Sequence, residues 1–344
     1  MTSLLDALKL CIERRSLNER EAYDAMKELM SGTAPTELIA GYLAALRVKG
    51  ETVEEITGFA RAMREASLRI APRVPGRLID TCSTGGAPVK TFNLGTTAAF
   101  VAAADGVPVA KHGNRSFNRP SGSADILEAL GAKLDLGPPQ VQAVIEEVGI
   151  GFLFSPNFHP AMKHAASARK MLGVRTVFNL LGPISNPADA KGQVLGVFDG
   201  AWVEPIAQAL KRLGTEHAMV LHAQGSDEPS LHVPTQVVEV RDGTIRRLEL
   251  RAGDLGLPDH PADAIGPLPP AAAAAEARRI LAGGPGPRAA AVSYNAGLAL
   301  YVGGHANSPR AGIERAQNLL TDRSPVAKLD EFVQATRRAG GTAS

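Results

Sequence analysis

The chain has 344 residues, with 37 Lys plus Arg against 35 Asp plus Glu, 44% hydrophobic residues and only two cysteines. That length buries enough apolar surface for two lobes without a structural metal, and Cys11 with Cys82 can form neither a disulfide framework nor a CxxC site within one chain. A formal net charge of +2 without a dominant basic run excludes a nucleic-acid footprint. No apolar stretch reaches membrane-spanning length and no secretory pattern is visible at the start, so a cytoplasmic protein with neither membrane nor nucleic-acid partners is expected.

The N-terminal part reads as helices. EREAYDAMKELM, ELIAGYLAALRVKG and ETVEEITGFARAMREASLRI carry apolar residues at three- and four-residue spacing. Ser31 to Pro35 is a turn whose neighbour Thr36 is expected to cap the next helix, and Lys49 to Thr52 separates the second pattern from the third. From Arg77 the pattern changes: RLIDTC is β-like, TFNLGTTAAFVAAADG helix-like, VPVAKHG β-like and ADILEALGA helix-like. Such alternation predicts an α/β lobe with a mostly parallel central sheet beside a small helical lobe. Further strands are expected at 151–156, 193–198 and 217–223, and a helix at AMKHAASARKMLG that packs back onto the first lobe. After a Pro/Ala-rich connection at 258–270, a helix and a final helix pair over 290–339 complete the chain. The expected division is a helical lobe over 1–72, joined by a helical contribution from about 160–185, and an α/β lobe over 73–344.

Four segments could carry chemistry. Ser83-Thr84-Gly85-Gly86-Ala87-Pro88 lies between a strand and a helix, where backbone N–H groups and a helix N-terminus can meet an anion. Thr84, Thr91, Asn93 and Thr96 would add side-chain partners for a phosphate or diphosphate. The spacing is neither a P-loop nor a dinucleotide GxGxxG, and an ordinary strand-to-helix turn is the competing reading. Lys111-His112-Gly113-Asn114-Arg115-Ser116 sits at the carboxyl end of an expected strand, the ligand-binding end of open α/β sheets, with Ser123 close behind at a helix start. Arg169, on a helix facing the Pro/Gly-rich stretch around Pro183, could dock a carboxylate through two parallel hydrogen bonds. The histidines have no metal-ligand spacing and are read as structural. Asp227-Glu228 suits Mg²⁺ held by one or two carboxylates plus substrate phosphates, or is an acidic surface turn.

Taken in order, EREAYDAMKELMSG, KHGNRS, SGSADILEALG, HPAMKHAASARKMLGVRTVFNLLGPISNPA and YNAGLALYVGG resemble the anthranilate phosphoribosyltransferase family over nearly the whole chain. The resemblance implies a homodimer that uses Mg²⁺ to transfer phosphoribose from 5-phosphoribosyl diphosphate to the amine of anthranilate, in tryptophan biosynthesis. It further implies donor contacts at Ser83, Thr84, Gly85, Gly86, Thr91, Asn93, Thr96, Lys111 and Ser123. Acceptor contacts would come from His112, Asn114, Arg169 and Pro183, with metal ligands at Asp227 and Glu228. A paralogue with another aromatic acceptor, a phosphorylase-like enzyme and a non-catalytic binding relative remain alternatives. The chain departs from the family pattern at Ser83, Ala87 and Pro88, where the loop reads GTGGD; at Gly95, in place of a Mg²⁺-coordinating Ser; at Pro120, in place of Lys; and in a DGLDE segment shortened to Gly225-Ser226-Asp227-Glu228.

Overall fold

The computed structural model describes residues 3–116 and 120–341. Four helices come first: α1 (Leu4–Ile12), α2 (Glu19–Ser31), α3 (Thr36–Lys49) and α4 (Val53–Glu65). Asn18 and Thr52 open α2 and α4 with reciprocal caps, each side chain taking the N–H of a glutamate whose carboxylate takes the cap's own N–H. Thr36 is not a cap. It is the first residue of α3, preceded by Pro35, which supplies the pre-set φ of a helix start but no side-chain acceptor.

The remainder alternates: β1 (Ile79–Ser83), α5 (Leu94–Ala104), β2 (Val109–Gly113), α6 (Ser123–Ala129), α7 (Pro138–Val148), β3 (Ile150–Phe154), α8 (Ser155–Phe158), α9 (Lys163–Leu172), α10 (Phe178–Leu181), β4 (Gly192–Gly196), α11 (Val203–Arg212) and β5 (His217–Ala223). A hairpin of β6 (Thr235–Arg241) and β7 (Thr244–Leu250) follows, then α12 (Pro270–Leu281), α13 (Pro287–Gly303), α14 (Pro309–Asp322) and α15 (Ser324–Gly341). The final helix pair expected from the sequence is thus three helices, with breaks at Ser308–Pro309, where Ser308 caps the next helix, and at Arg323, which takes the left-handed conformation.

One seven-stranded sheet runs β3-β2-β1-β4-β5-β6-β7, parallel from β3 to β5 and antiparallel beyond. This is the mostly parallel α/β arrangement expected. Strand order runs outward from β1 in both directions, so the chain reverses its winding between β1 and β4, and the carboxyl ends there are the ligand-binding position of open α/β sheets.

Period-2 alternation sends neighbouring residues of the sheet into two apolar cores. Val194, Met219 and Val237 join the core built on α5 and α13, while Leu195, Val220 and Val238 join the core of the first four helices. Ala165 and Ala168 of α9 and Phe178, Leu180 and Leu181 of α10 belong to that second core, so the excursion between β3 and β4 returns to the N-terminal helices. Arg64 of α4 fastens its far end, donating to the Ile184 carbonyl at 2.9 Å and pairing with Asp189 at 3.2 Å. A further constraint sits at Gly196, where β4 ends. A Cβ there would lie 1.7 Å from the Asp227 carbonyl oxygen, so the loop after β5 rests directly on the strand backbone and only glycine admits it.

Candidate active site

The turn after β1 is built from consecutive glycines in the left-handed region, Gly85 at φ 66° and Gly86 at φ 78°, which side-chain-bearing residues rarely adopt. Thr84 anchors the turn to β4. Its N–H donates to the Gly196 carbonyl at 2.9 Å, and its hydroxyl accepts the Phe198 N–H at 2.9 Å. Val89 N–H donates to the Gly225 carbonyl at 2.9 Å, which ties this turn to the loop carrying Asp227 and Glu228. The departure at Ala87 is fully buried in the helical core, where a carboxylate would have been desolvated, and Lys90 Nζ donates to the Ala87 carbonyl at 2.5 Å. Backbone bonds and Lys90 therefore hold the altered loop.

Thr91 Oγ1 is buried and has no hydrogen-bond partner among the described residues, the condition expected of a group that a ligand satisfies. Asn93 precedes α5 and donates from Nδ2 to the Ser121 carbonyl at 3.2 Å, while Asn114 O accepts the Ala124 N–H at 3.2 Å. These bonds gather the N-terminus of α5, the turn after β2 and the residues around Ser123. Thr96 lies buried one turn into α5. Gly95 carbonyl accepts the Thr81 hydroxyl at 2.8 Å, so no side-chain oxygen is offered at that position.

The positive charges are placed differently from the reading of the sequence. Lys111 turns inward, its ammonium bonded to the Thr81 carbonyl and its stem beside Thr96 and Phe152. Arg115 is held by Glu128 at 2.6 Å and Asp125 at 3.2 Å. His112, next along β2, points to the other face. Its Nε2 lies 3.0 Å from Ser155 Oγ, which is itself 2.9 Å from the Gly113 carbonyl, and its ring bonds the Gly182 carbonyl beside Pro183. Pro183 itself turns its carbonyl inward to Gln193 Nε2 at 2.7 Å.

His159, read as structural, stands with its ring centroid 5.0 Å from that of His112, and its buried Nε2 has no hydrogen-bond partner among the described residues. Thr176 Oγ1 is likewise buried and unpartnered. Arg169 of α9 lies over the Phe178 ring at 5.2 Å, half-buried, and among the described residues no carboxylate pairs with it. Burial lowers its guanidinium from the ordinary value, yet an arginine stays charged. Six residues on, Arg175 crosses to the glycine turn, donating from Nη2 to the Gly86 carbonyl with its guanidinium 4.4 Å from the Phe198 ring centroid. Neither His159 nor Arg175 carried a spacing signal, because each finds its partner through the return of α8 to α10.

The residues present fit Mg²⁺. Asp227 is fully buried and Glu228 nearly so, on a loop fixed at both Gly196 and Val89. Among the described residues no group of three or more His, Cys, Asp or Glu could hold a metal. Two carboxylate oxygens there would leave the other positions to phosphate and water, which matches the coordination habit of Mg²⁺.

Burial pushes His112 down to about 3, the nearby His159 adding to the effect, and burial holds His159 at about 4. Unfolded histidines take up a proton near pH 6.5. Between roughly pH 6.5 and 4 the unfolded chain therefore binds more protons than the native one, and stability present above that range falls with pH, by up to about 1.4 kcal/mol per unit per histidine. Ring-proton NMR from pH 8 to 5, assigned with His112→Gln and His159→Gln, is expected to show two flat resonances. Midpoints near 6.5 for both would contradict the buried neutral pair.

Comparison with known proteins follows this geometry. The family model described as "Glycosyl transferase family, a/b domain" matches residues 75–324, and "Glycosyl transferase family, helical bundle domain" matches residues 5–67. An anthranilate phosphoribosyltransferase from Methanosarcina barkeri is 49% identical, covering 93% of this chain and 87% of the relative. Its counterpart from Thioalkalivibrio sulfidiphilus is 46% identical over 96% of this chain and 98% of its own. The crystal structure of anthranilate phosphoribosyltransferase from Thermus thermophilus superposes with a TM-score of 0.92 at 45% identity, covering 96% of this chain and 99% of that one. The Saccharomyces cerevisiae enzyme in complex with PRPP and Mg shares the fold at a TM-score of 0.89 and 24% identity, over 97% and 98% of the two chains. With identity this high over nearly its whole length, the chain belongs to the anthranilate phosphoribosyltransferase family.

Proposed function

We propose that this chain transfers the phosphoribosyl group of 5-phosphoribosyl diphosphate to the amine of anthranilate, giving N-(5-phosphoribosyl)anthranilate and diphosphate. One observation carries the reading: Arg169, a half-buried guanidinium without a carboxylate partner among the described residues, lies on the same segment that grips the Gly85-Gly86 turn through Arg175. A carboxylate-bearing acceptor and an anionic donor are thereby called to one cleft.

The donor side comprises Ser83, Gly85, Gly86, Thr91, Asn93, Thr96 and Ser123, with Thr84 fixing the turn. Lys111 acts on it through its field, from beneath β1. Asp227 and Glu228 would hold Mg²⁺, which when bound neutralises charge developing on the departing diphosphate. The acceptor side comprises Arg169, His112, Asn114 and Pro183, joined by His159. As the C1–diphosphate bond breaks and a C1–N bond forms, an aromatic amine already neutral at pH 7 needs placement more than deprotonation, and neutral histidines leave its charge undisturbed. Residues 1–72 with 160–185 form the helical lobe and 73–344 the donor lobe in this reading; the boundary near residue 72 is supported by the two matched family models, and the place of 160–185 by the packing of α9 and α10 with the first four helices. The free Cys11 and Cys82 support a reducing, cytoplasmic setting; no helix among the described residues is long and apolar enough to cross a membrane.

The chain forms a homodimer through its helical lobe. Ile12 of α1, Val48 of α3, and Met171 and Val174 at the end of α9 are 67%, 78%, 64% and 58% exposed, an apolar set on helices that pack together. Sedimentation is expected to give a dimer that Ile12→Glu with Met171→Glu converts to a monomer; a monomeric wild type would contradict this.

Loss of anthranilate fluorescence with Mg²⁺ and 5-phosphoribosyl diphosphate tests the reaction. Arg169→Ala is expected to raise the anthranilate KM by about ten- to hundredfold, the cost of a charge-assisted hydrogen bond, and Glu228→Ala to lower turnover. A wild type without turnover, or both variants at full activity, would contradict the assignment.

A further inference from the structure

Arg175 makes two contacts that the transfer reaction does not require of it. It donates to the carbonyl of Gly86, the second of the two left-handed residues, and its planar guanidinium sits 4.4 Å from the centroid of Phe198, just beyond β4. The Gly86 Cα lies under the same group, since a Cβ added there would meet Arg175 Nε at 3.4 Å. Phe198 N–H in turn donates to the Thr84 hydroxyl, so turn, strand end and guanidinium close a ring of contacts. On its own chain, Arg175 stands between Arg169 and the α10 segment that leads to Pro183. It is therefore where the acceptor-bearing excursion touches the donor turn.

We propose that Arg175 is a positioning residue that sets the conformation of the donor turn and couples it to the acceptor segment. The Gly85-Gly86 turn has no side chain of its own with which to hold its shape. Its carbonyl at Gly86 is oriented from outside, by a fork-shaped cation whose plane is fixed on an aromatic face, so the turn's N–H groups are arranged before the donor arrives. In this chain the turn is followed by Ala87 and Pro88, neither of which can donate or accept through a side chain. Beside the ties made by Thr84, Val89 and Lys90, the Gly86 carbonyl is met from a distant part of the chain by Arg175.

This inference rests on the transferase reading, and steady-state kinetics of Arg175→Ala, Arg175→Lys, Phe198→Leu and the Arg175→Ala/Phe198→Leu double variant test it. Arg175→Ala is expected to raise the KM for 5-phosphoribosyl diphosphate by about tenfold, the size of one charge-assisted hydrogen bond, with kcat within about twofold. Arg175→Lys, which keeps the charge but not the planar seat, should stay within about threefold of the alanine variant. Phe198→Leu should shift the donor KM in the same direction, and the double variant should lose little beyond Arg175→Ala, because both substitutions remove one device. An unmoved donor KM in Arg175→Ala, full recovery by lysine, or independent effects that multiply would each overturn the proposal. Absence of wild-type turnover would overturn the transferase reading and this inference with it. Wild-type turnover with an unmoved donor KM in Arg175→Ala overturns this inference alone.

Discussion

The carboxylate of Asp80, wholly buried on the central strand, is the interaction on which the cleft depends. It accepts the His112 N–H from β2 at 3.2 Å and the Asn186 amide at 2.8 Å, and Asn186 also donates to the Ala110 carbonyl at 2.8 Å and accepts the Ala188 N–H at 2.9 Å. Burial raises this carboxyl above the ordinary range, and the charge of Lys111 opposes that rise. A buried acid of this kind contributes little net stability, because desolvation offsets its attraction to the lysine. What it supplies is register: one side chain holds β1, β2 and the segment just after Pro183 in a single arrangement.

From that knot outward the cleft is mostly a backbone construction. The glycine turn after β1 is fixed by Thr84 to β4 and by Val89 to the acidic loop, and the acidic loop is seated on Gly196. Among the described residues, the hydroxyls of Thr91 and Thr176 and Nε2 of His159 are buried without a hydrogen-bond partner, and no carboxylate pairs with the guanidinium of Arg169. Each is buried or half-buried on a frame held by bonds within the protein, an arrangement that lowers the ordering cost of binding.

Much of this was legible in the sequence. The strand HAMVLHA coincides with β5 at His217–Ala223, the alternation from Arg77 onward gave a mostly parallel sheet, and the glycine turn lies between strand and helix as its composition suggested. The β6–β7 hairpin was not legible, since β7 reads TIRRLEL and is largely exposed, with charges breaking the apolar alternation. Lys111, His112 and Arg115 lie within five residues in the sequence. Strand geometry sends Lys111 and His112 to opposite faces, and Arg115 is claimed by Asp125 and Glu128. The His112–His159 pair forms where α8 follows β3 beside β2, and the reach of Arg175 to Gly86 joins residues that the return of α9 and α10 onto the helical core brings together.

In the proposed function, the carboxyl ends of β1, β2 and β5 form one donor site completed by Mg²⁺. Calorimetric titration of 5-phosphoribosyl diphosphate into the wild-type protein, with Mg²⁺ and again in EDTA, tests it without any chemical step. The account predicts saturable binding, one donor per chain, that weakens by at least about tenfold when the cation is removed, as expected where two carboxylates would otherwise face a diphosphate unshielded. Equal affinity in EDTA, or no binding in Mg²⁺, would contradict it.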